Sequence, residues 1–456
     1  MLSQPSYSVP GVYRQPHVRT ESFPRLRTDV VGFVGIAGPR FLNEAVRVDD
    51  WRSYIEYFRR DEQGREIIEP QGSSLGDTVR EFFANGGSRC WIVNVAESID
   101  ADNAQALLNT MLGLDDLSNY TGLELLLRQD EVSIVALPEL DATADVVVEP
   151  EPVEVPGSPC FVRCRDDLGR TSVTDEREVV VRNALYSDDD IQWAQRYLIS
   201  RLQKNRWRWF AILSTPPGKT HSEAIEWRRN LVHNLGVCDV AGIYWPWVLT
   251  QKKPGADVEH KSPVGFVAGI FARRDLARGP HIAPANEALI GVVGLERLIS
   301  DEVNGEVYDA GVNVIRVRAG RGIRLWGART MLWDNPDSRY RALAFVNGRR
   351  CLTAIARTAE SLGRRVVFQP HSPLVQVQLG QMLAAYLLKV YESGALMGES
   401  PEEAFFVICD TSNNPPESVA NGELVCDIGV ALAAPAEFIV FRVGRKNAVT
   451  EIQEAA

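Results

Sequence analysis
The stretch WRWFAILSTPPGKTHSEAIEWRRNLVHNLGVCDVAGIYWPWVLT, residues 207–250, decides the fold class. WRWFAILSTPP (207–217) is an apolar run closed by prolines, which reads as a buried strand. HSEAIEWRRNLVHNLG (221–236) reads as a helix that glycine closes, and VAGIYWPWVLT (240–250) as a second strand. The alternation continues outward. DDDIQWAQRYLISRLQKN (188–205) predicts a helix with acidic residues at its start, where they complement the helix dipole. SPVGFVAGIFARRDLARG (262–279) predicts another helix. Strands alternating with helices of this length specify a parallel sheet with helical crossovers.

Upstream, DVVGFVGIAG (29–38) reads as a buried strand, and Leu75, Val79, Phe82 and Phe83 mark one helical face that ends in Asn85-Gly86-Gly87. CWIVNVA (90–96) and EVSIVALPEL (131–140) follow as strands. Residues 141–187 interrupt the pattern with a Val/Glu/Pro mixture and then a possible small ribbon, and read as an inserted surface element. Beyond residue 300, VNVIRVRAGRGIRLWGART (312–330) reads as two strands around a Gly-Arg-Gly turn. Helices over 347–365 and 372–396 and closing strands in EEAFFVICD, NGELVCDIGVALAAP and AEFIVFRVG complete the chain.

These segments give a mixed α/β, multidomain chain: an extended arm (1–25), an α/β part (26–130), an α/β unit with the insertion (131–300), an α+β unit (301–436) and a terminal strand and arm (437–456). The arm of residues 1–25 is rich in Pro, Ser, Tyr and Arg and has no amphipathic period.

Composition bounds the function. The 456 residues carry 45% hydrophobic and 24% charged side chains, an ordinary globular balance. A net charge of −11 argues against nucleic acid as the main partner. No stretch of ~20 apolar residues spans a membrane, and the N-terminus lacks the apolar core of a signal peptide. Seven cysteines, an odd count without regular spacing, fit a reducing cytoplasm better than a disulfide framework.

Three motifs suggest chemistry and each lacks its context. Gly72-Ser73-Ser74-Leu75-Gly76 matches the G-x-S-x-G elbow, but a polar, Pro70-closed segment precedes it instead of a strand. Ser74 more simply caps the following helix. Pro217-Gly218-Lys219-Thr220 has Leu213 where a phosphate-binding loop needs glycine, so it reads as a turn. Cys160 and Cys164 have no second pair at zinc-site spacing, and the six histidines are scattered. No catalytic residue, cofactor or metal ligand is therefore assigned. The loop RGPHIAPANEAL (278–289), stiffened by Pro280 and Pro284, reads as a structural strap with Arg278 and His281 as hydrogen-bonding groups.

Several stretches in order resemble the tail sheath proteins of contractile phage tails and related contractile injection systems. VPGVYRQ resembles the family's opening; VVGFVGIAGPRFLNEAVRVDDWRSYIEYF and REFFANGGSRCWIVNVA are similar to its next blocks. VAGIFARRDLARGPHIAPANEAL, GVNVIRVRAGRGIRLWGART and the segment from SPEEAFFVICD to FIVFRV continue the likeness across nearly the whole chain except 141–187. The resemblance implies a structural subunit that polymerises as stacked, commonly hexameric rings around an inner tube and contracts to drive that tube through an envelope. Implied partners are further copies of the chain, the inner tube protein, baseplate and terminal cap proteins and sheath paralogues. Production and assembly in a bacterial or archaeal cytoplasm follow. Termini of such proteins exchange strands with neighbours, which here implicates Val9, Pro10, Gly11, Val12 and Tyr13, and Phe438, Ile439, Val440, Phe441 and Val443. The C-terminal unit is implied to face the tube, with Arg349, Arg350, Arg364 and Arg365 as charged contacts or, equally, as solvated helix faces. The competing readings are a hydrolase using Ser74 and a monomeric binding module.

Overall fold
The structure is a computed structural model that describes residues 26–115, 120–148, 179–253, 255–335, 337–435 and 437. The Cys160/Cys164 pair and the strand-exchange residues named in both arms lie outside the described residues.

A nine-stranded sheet organises the chain. Six strands run parallel, in the spatial order Cys90–Asn94, Val31–Gly35, Ile134–Ala136, Phe210–Ser214, Ala241–Trp245, Asn313–Arg318. Antiparallel edges flank them: Ala45–Val48 at one side, Gly322–Trp326 and then Glu287–Ala288 at the other. The parallel sheet predicted from 207–250 is therefore present, but it is wider than that stretch suggests. Strands from all three expected units, 26–130, 131–300 and 301–436, hydrogen-bond into it, so neither residue 130 nor residue 300 separates two bodies.

Both sheet faces are covered, which is why its central strands are largely apolar and are buried at every position. Val31 and Phe33 face one core with Ile134, Phe210 and Ile212; Val34 faces the other with Val135, Ala211 and Leu213. Helices Trp51–Phe58, Leu75–Ala84 and Val264–Arg278 cover the first face. Helices Ala104–Leu112, Gly122–Leu126, Asp188–Gln203, His221–Val232 and Asp301–Asp309 cover the second. Capping boxes built on Ser187 and Thr220 start two of these helices.

The 240–250 segment departs from expectation. It divides at Pro246, and its second part, Val248–Gln251, leaves the main sheet for a three-stranded antiparallel one with Val258–Lys261 and Val292–Leu295. The expected hairpin at Gly320-Arg321-Gly322 forms, with both glycines at positive φ. The ends of the insertion pair as a ribbon, Thr143–Val148 with Val179–Ala184.

On one edge lies a separate layer. Helices Val346–Gly363 and Pro373–Glu392 pack on a two-stranded ribbon, Phe405–Ile408 with Asp427–Val430. Here the cysteine expectation is corrected: Cys409 and Cys426 form a disulfide, their Cα atoms 4.5 Å apart. They stand 17 residues apart in sequence, and the antiparallel register of the ribbon brings them face to face. Cys90, Cys238 and Cys351 are free and buried.

Gly265 and Gly269, one turn apart on Val264–Arg278, let that helix sit against Leu75–Ala84. A Cβ on Gly265 would lie 2.6 Å from Thr78 O, and one on Gly269 would lie 2.6 Å from both Phe82 O and Asn85 Cβ. Backbone cannot give way there, so Gly269→Ala is expected to lower stability by about 1–3 kcal/mol through overpacking. Urea unfolding of the variant beside the parent checks it; an unchanged midpoint would contradict the close helix approach.

Candidate functional site
In an open parallel sheet the ligand position is the crevice at the carboxyl ends of the strands where strand order reverses. Here the reversal lies between Val31–Gly35 and Ile134–Ala136, because the chain runs from the first to Cys90–Asn94 on one side and then crosses to the other. The G-x-S-x-G segment sits at this point, so the sequence did single out the right place.

What occupies the crevice is the chain's own carboxylate. Glu139, in the short turn Pro138–Asp141 after Ile134–Ala136, accepts hydrogen bonds from Ile36 N (3.1 Å), Ser73 Oγ (2.6 Å), Ser74 N (3.3 Å) and Leu75 N (3.1 Å). It thereby caps the helix Leu75–Ala84 from 64 residues away and meets the positive end of its dipole. The expectation that Ser74 caps this helix is corrected. Ser74 stands at the N-cap position without a side-chain cap bond, and its Oγ donates to Asp141 O at 3.1 Å. That hydroxyl has a carbonyl as its partner instead of a base, and the helix-capping anion is Glu139.

Asp141 lies beside it, receiving Ser214 Oγ at 3.5 Å. Burial pushes both carboxyls up to about 7; hydrogen bonds from Ser73 and the 36, 74 and 75 amides oppose this for Glu139, and bonds from Ser262 and Ser214 oppose it for Asp141. Ser214, Thr215 and Tyr186 are buried as well, and Glu139 takes the amides of Ile36, Ser74 and Leu75 that face the crevice. The turn at 217–220 proves to be one, with Gly218 at positive φ, Lys219 paired to Asp188 and Thr220 starting a helix. Among the described residues, no group of three or more His, Cys, Asp or Glu is placed to hold a metal ion.

A second constellation joins the C-terminal layer to the sheet body. Arg350 makes a bidentate pair with Asp275 (2.8 and 2.6 Å) and donates to Thr28 O (2.6 Å). Arg349 is 0% exposed, 3.5 Å from Asp239 and 5.2 Å from the Trp207 ring, and burial pulls it down to about 10. Arg357 donates to Asp130 O (2.5 Å) and Glu131 O (3.3 Å). The tube-contact expectation is thus corrected for Arg349 and Arg350: both point into the molecule, where acids of distant segments neutralise them. Arg364 and Arg365 are exposed, Arg364 paired with Glu360 at 2.7 Å. A sequence signal for Arg349 existed. Arg349, Thr353 and Arg357 fall at i, i+4 and i+8, a polar stripe broken by a small residue, while Cys351 and Ile355 mark an apolar one.

The loop 278–289 lies where the sheet body meets the C-terminal layer. It carries the chain from the end of Val264–Arg278 to the edge strand Glu287–Ala288 and is held by Asn286 N to Leu325 O (2.7 Å) and Asn347 Nδ2 to His281 O (3.1 Å). Glu437 meets Arg329 at 2.9 Å, and the Arg329 guanidinium lies between the rings of Tyr308 and Trp333.

Residues 173–331, which include three of the six parallel strands and the loop 278–289, match the family model of the phage tail sheath protein central domain. The centre of this chain is similar to a tail sheath domain. The tail sheath protein of Burkholderia phage BcepMu is 28% identical over 240 residues, 51% of this chain and 48% of that protein. That of Vibrio phage KVP40 is 26% identical over 180 residues, 38% of this chain and 25% of that protein. The match thus spans about half of the first relative's length. The sheath fold extends beyond the central domain. The helical sheath of the anti-feeding prophage in its contracted state superposes over 96% of this chain and 99% of its own, with a TM-score of 0.64 at 21% identity. The contracted sheath complex of the extracellular injection system PVC superposes over 97% and 99%, with a TM-score of 0.63 at 20% identity.

Two measurements follow from this geometry. Asp141 binds its proton more tightly folded than unfolded, so its contribution to stability is complete below about pH 4 and is lost as pH rises through about 7. Asp141→Asn is expected to flatten the fall in urea midpoint between pH 5 and 8; a variant as steep as the parent would show that the carboxyl does not titrate there. Arg350→Ala leaves Asp275 buried without its cation and is expected to cost about 3–5 kcal/mol. Arg350→Met with Asp275→Leu is expected to recover much of that loss in the same assay, and equal losses in both variants would contradict pairing as the cause.

Proposed function
We propose that the chain is a structural subunit of a contractile sheath: it stacks in rings around an inner tube, and the sheath shortens to drive the tube through a target envelope. The observation that carries this reading is the central-domain match over 173–331, set within a sheath fold that covers nearly the whole chain. The neighbours described in a contracted helical sheath and in contracted and symmetrised baseplates support self-assembly and baseplate association as the setting. By the same reading the partners are further copies of this chain, the tube protein, baseplate and cap proteins, and the particle is a phage tail or an injection system. None of the described helices is long and apolar enough to cross a membrane.

The filled switch-point crevice supports a non-catalytic role. A hydrolase needs Ser74 next to a base and an open oxyanion position; here the neighbouring amides already serve Glu139 and the Ser74 hydroxyl serves Asp141 O. Strand exchange through 1–25 and 437–456 belongs to this proposal, as does tube contact through Arg364 and Arg365 on the exposed end of Val346–Gly363.

Electron microscopy of the full chain, alone and co-expressed with its tube protein and baseplate, tests the reading. Striated hollow tubes or stacked rings are expected, unchanged by Ser74→Ala and lost on deletion of 1–20 while the shortened chain stays folded by circular dichroism. Compact single particles in every co-expression, or hydrolytic turnover that Ser74→Ala abolishes, would overturn it.

A further inference from the structure
Cys426 differs from the other described cysteines in access. Cys90, Cys238 and Cys351 are single and enclosed, and burial raises all three thiols, Cys238 and Cys351 to about 12. Cys409 and Cys426 instead flank an excursion of the C-terminal ribbon. The last ladder pair is Ile408 opposite Asp427, so the two cysteines are the next facing positions.

The excursion is held shut by more than sulfur. Asn414 Nδ2 donates to Asp410 O (3.0 Å) and Val425 O (2.8 Å), and Asn414 Oδ1 accepts from Val425 N (2.7 Å). Asn413 Nδ2 donates to Ile408 O (2.7 Å) and Asp427 Oδ2 (3.1 Å). None of these bonds involves either sulfur. The surroundings of the two cysteines differ. Cys409 is 7% exposed and packs in a core with Leu362, Leu379 and Leu383, whereas Cys426 lies at its margin and is partly open to solvent.

We propose that Cys409 and Cys426 are a preorganised thiol pair that a low-molecular-weight disulfide oxidises in a fixed order, Cys426 reacting first and Cys409 resolving. The Cys426 thiolate attacks one sulfur of the oxidant RSSR, forming a mixed disulfide and expelling RS⁻. The Cys409 thiol then loses its proton and attacks the Cys426 sulfur, expelling the second RS⁻. Two protons and two electrons leave the protein, and one RSSR becomes two RSH. The order follows from access, which decides which thiol a bulky disulfide reaches. The closed bond fastens the 409–426 excursion over the C-terminal helix pair, so this layer carries a lock that responds to the redox state of the medium. None of this depends on polymerisation.

The test uses the full chain with Cys160→Ser and Cys164→Ser, so that the ribbon pair and the three enclosed thiols remain. The chain is reduced, desalted, exposed natively to glutathione disulfide, quenched with acid at intervals and peptide-mapped by mass spectrometry. Expected is an early glutathione adduct on Cys426, then its loss as Cys409–Cys426 forms and both thiols become unavailable to alkylation. With Cys409→Ser added, the adduct persists on Cys426. With Cys426→Ser or Cys426→Ala added, Cys409 gains adduct at least about tenfold more slowly than Cys426 does in its counterpart. Early adduct on Cys409, equal rates in the two single variants, or two thiols that stay alkylatable in the parent would each overturn the proposal. The early time points need no ribbon substitution, so a misfolded variant does not decide the matter.

Discussion
A buried guanidinium and a buried carboxylate, Arg350 and Asp275, hold together parts of the chain that nothing local would join. Arg350 comes from the helix Val346–Gly363, Asp275 from Val264–Arg278, and the carbonyl that takes the remaining contact belongs to Thr28, 322 residues before the arginine. Removing either ion from water costs several kcal/mol, which only near-ideal geometry offsets. The two parallel N–H···O bonds provide it. The C-terminal layer, the helix that covers the sheet and the chain entering the first strand are therefore fixed relative to one another.

The same economy of internal charge explains the sheet's switch point. A doubly wound sheet implies no particular activity, because function resides in what stands at its carboxyl edge. In this chain Glu139 stands there, filling the amide cradle that a phosphate or carboxylate ligand would otherwise use. It joins the turn at 138–141 to the helix Leu75–Ala84, beside the ribbon from which the insertion departs. A ligand crevice has become a joint. That suits a subunit whose proposed work is to hold shape while its contacts with neighbours change.

Much of the secondary structure was legible because the signals are local. The acidic helix start at 188–190, the Gly-Arg-Gly turn and apolar strand runs are each set within a few residues. Units and site were less legible. The main sheet recruits Val31–Gly35 and Asn313–Arg318 into one surface, and no local pattern shows that strands so far apart share a sheet. Arg349 and Arg350 read as charged tube contacts or a solvated face because their acids, Asp239 and Asp275, lie far away in sequence. Ser74 read as a cap for the same reason: the competing acceptor, Glu139, belongs to a different crossover.

The sequence by itself determined the alternation of strands and helices, the helix starts and turns, and the ordered set of motifs that resembles a tail sheath, since periodicity and capping act over a few residues. Only the tertiary structure decided which charges are inside, that the switch-point crevice is occupied by Glu139, and that Cys409 faces Cys426. Those outcomes depend on pairings between segments tens to hundreds of residues apart. Burial turns such pairings from indifferent into obligatory, because a charge or amide shut away from water must find its partner within the fold.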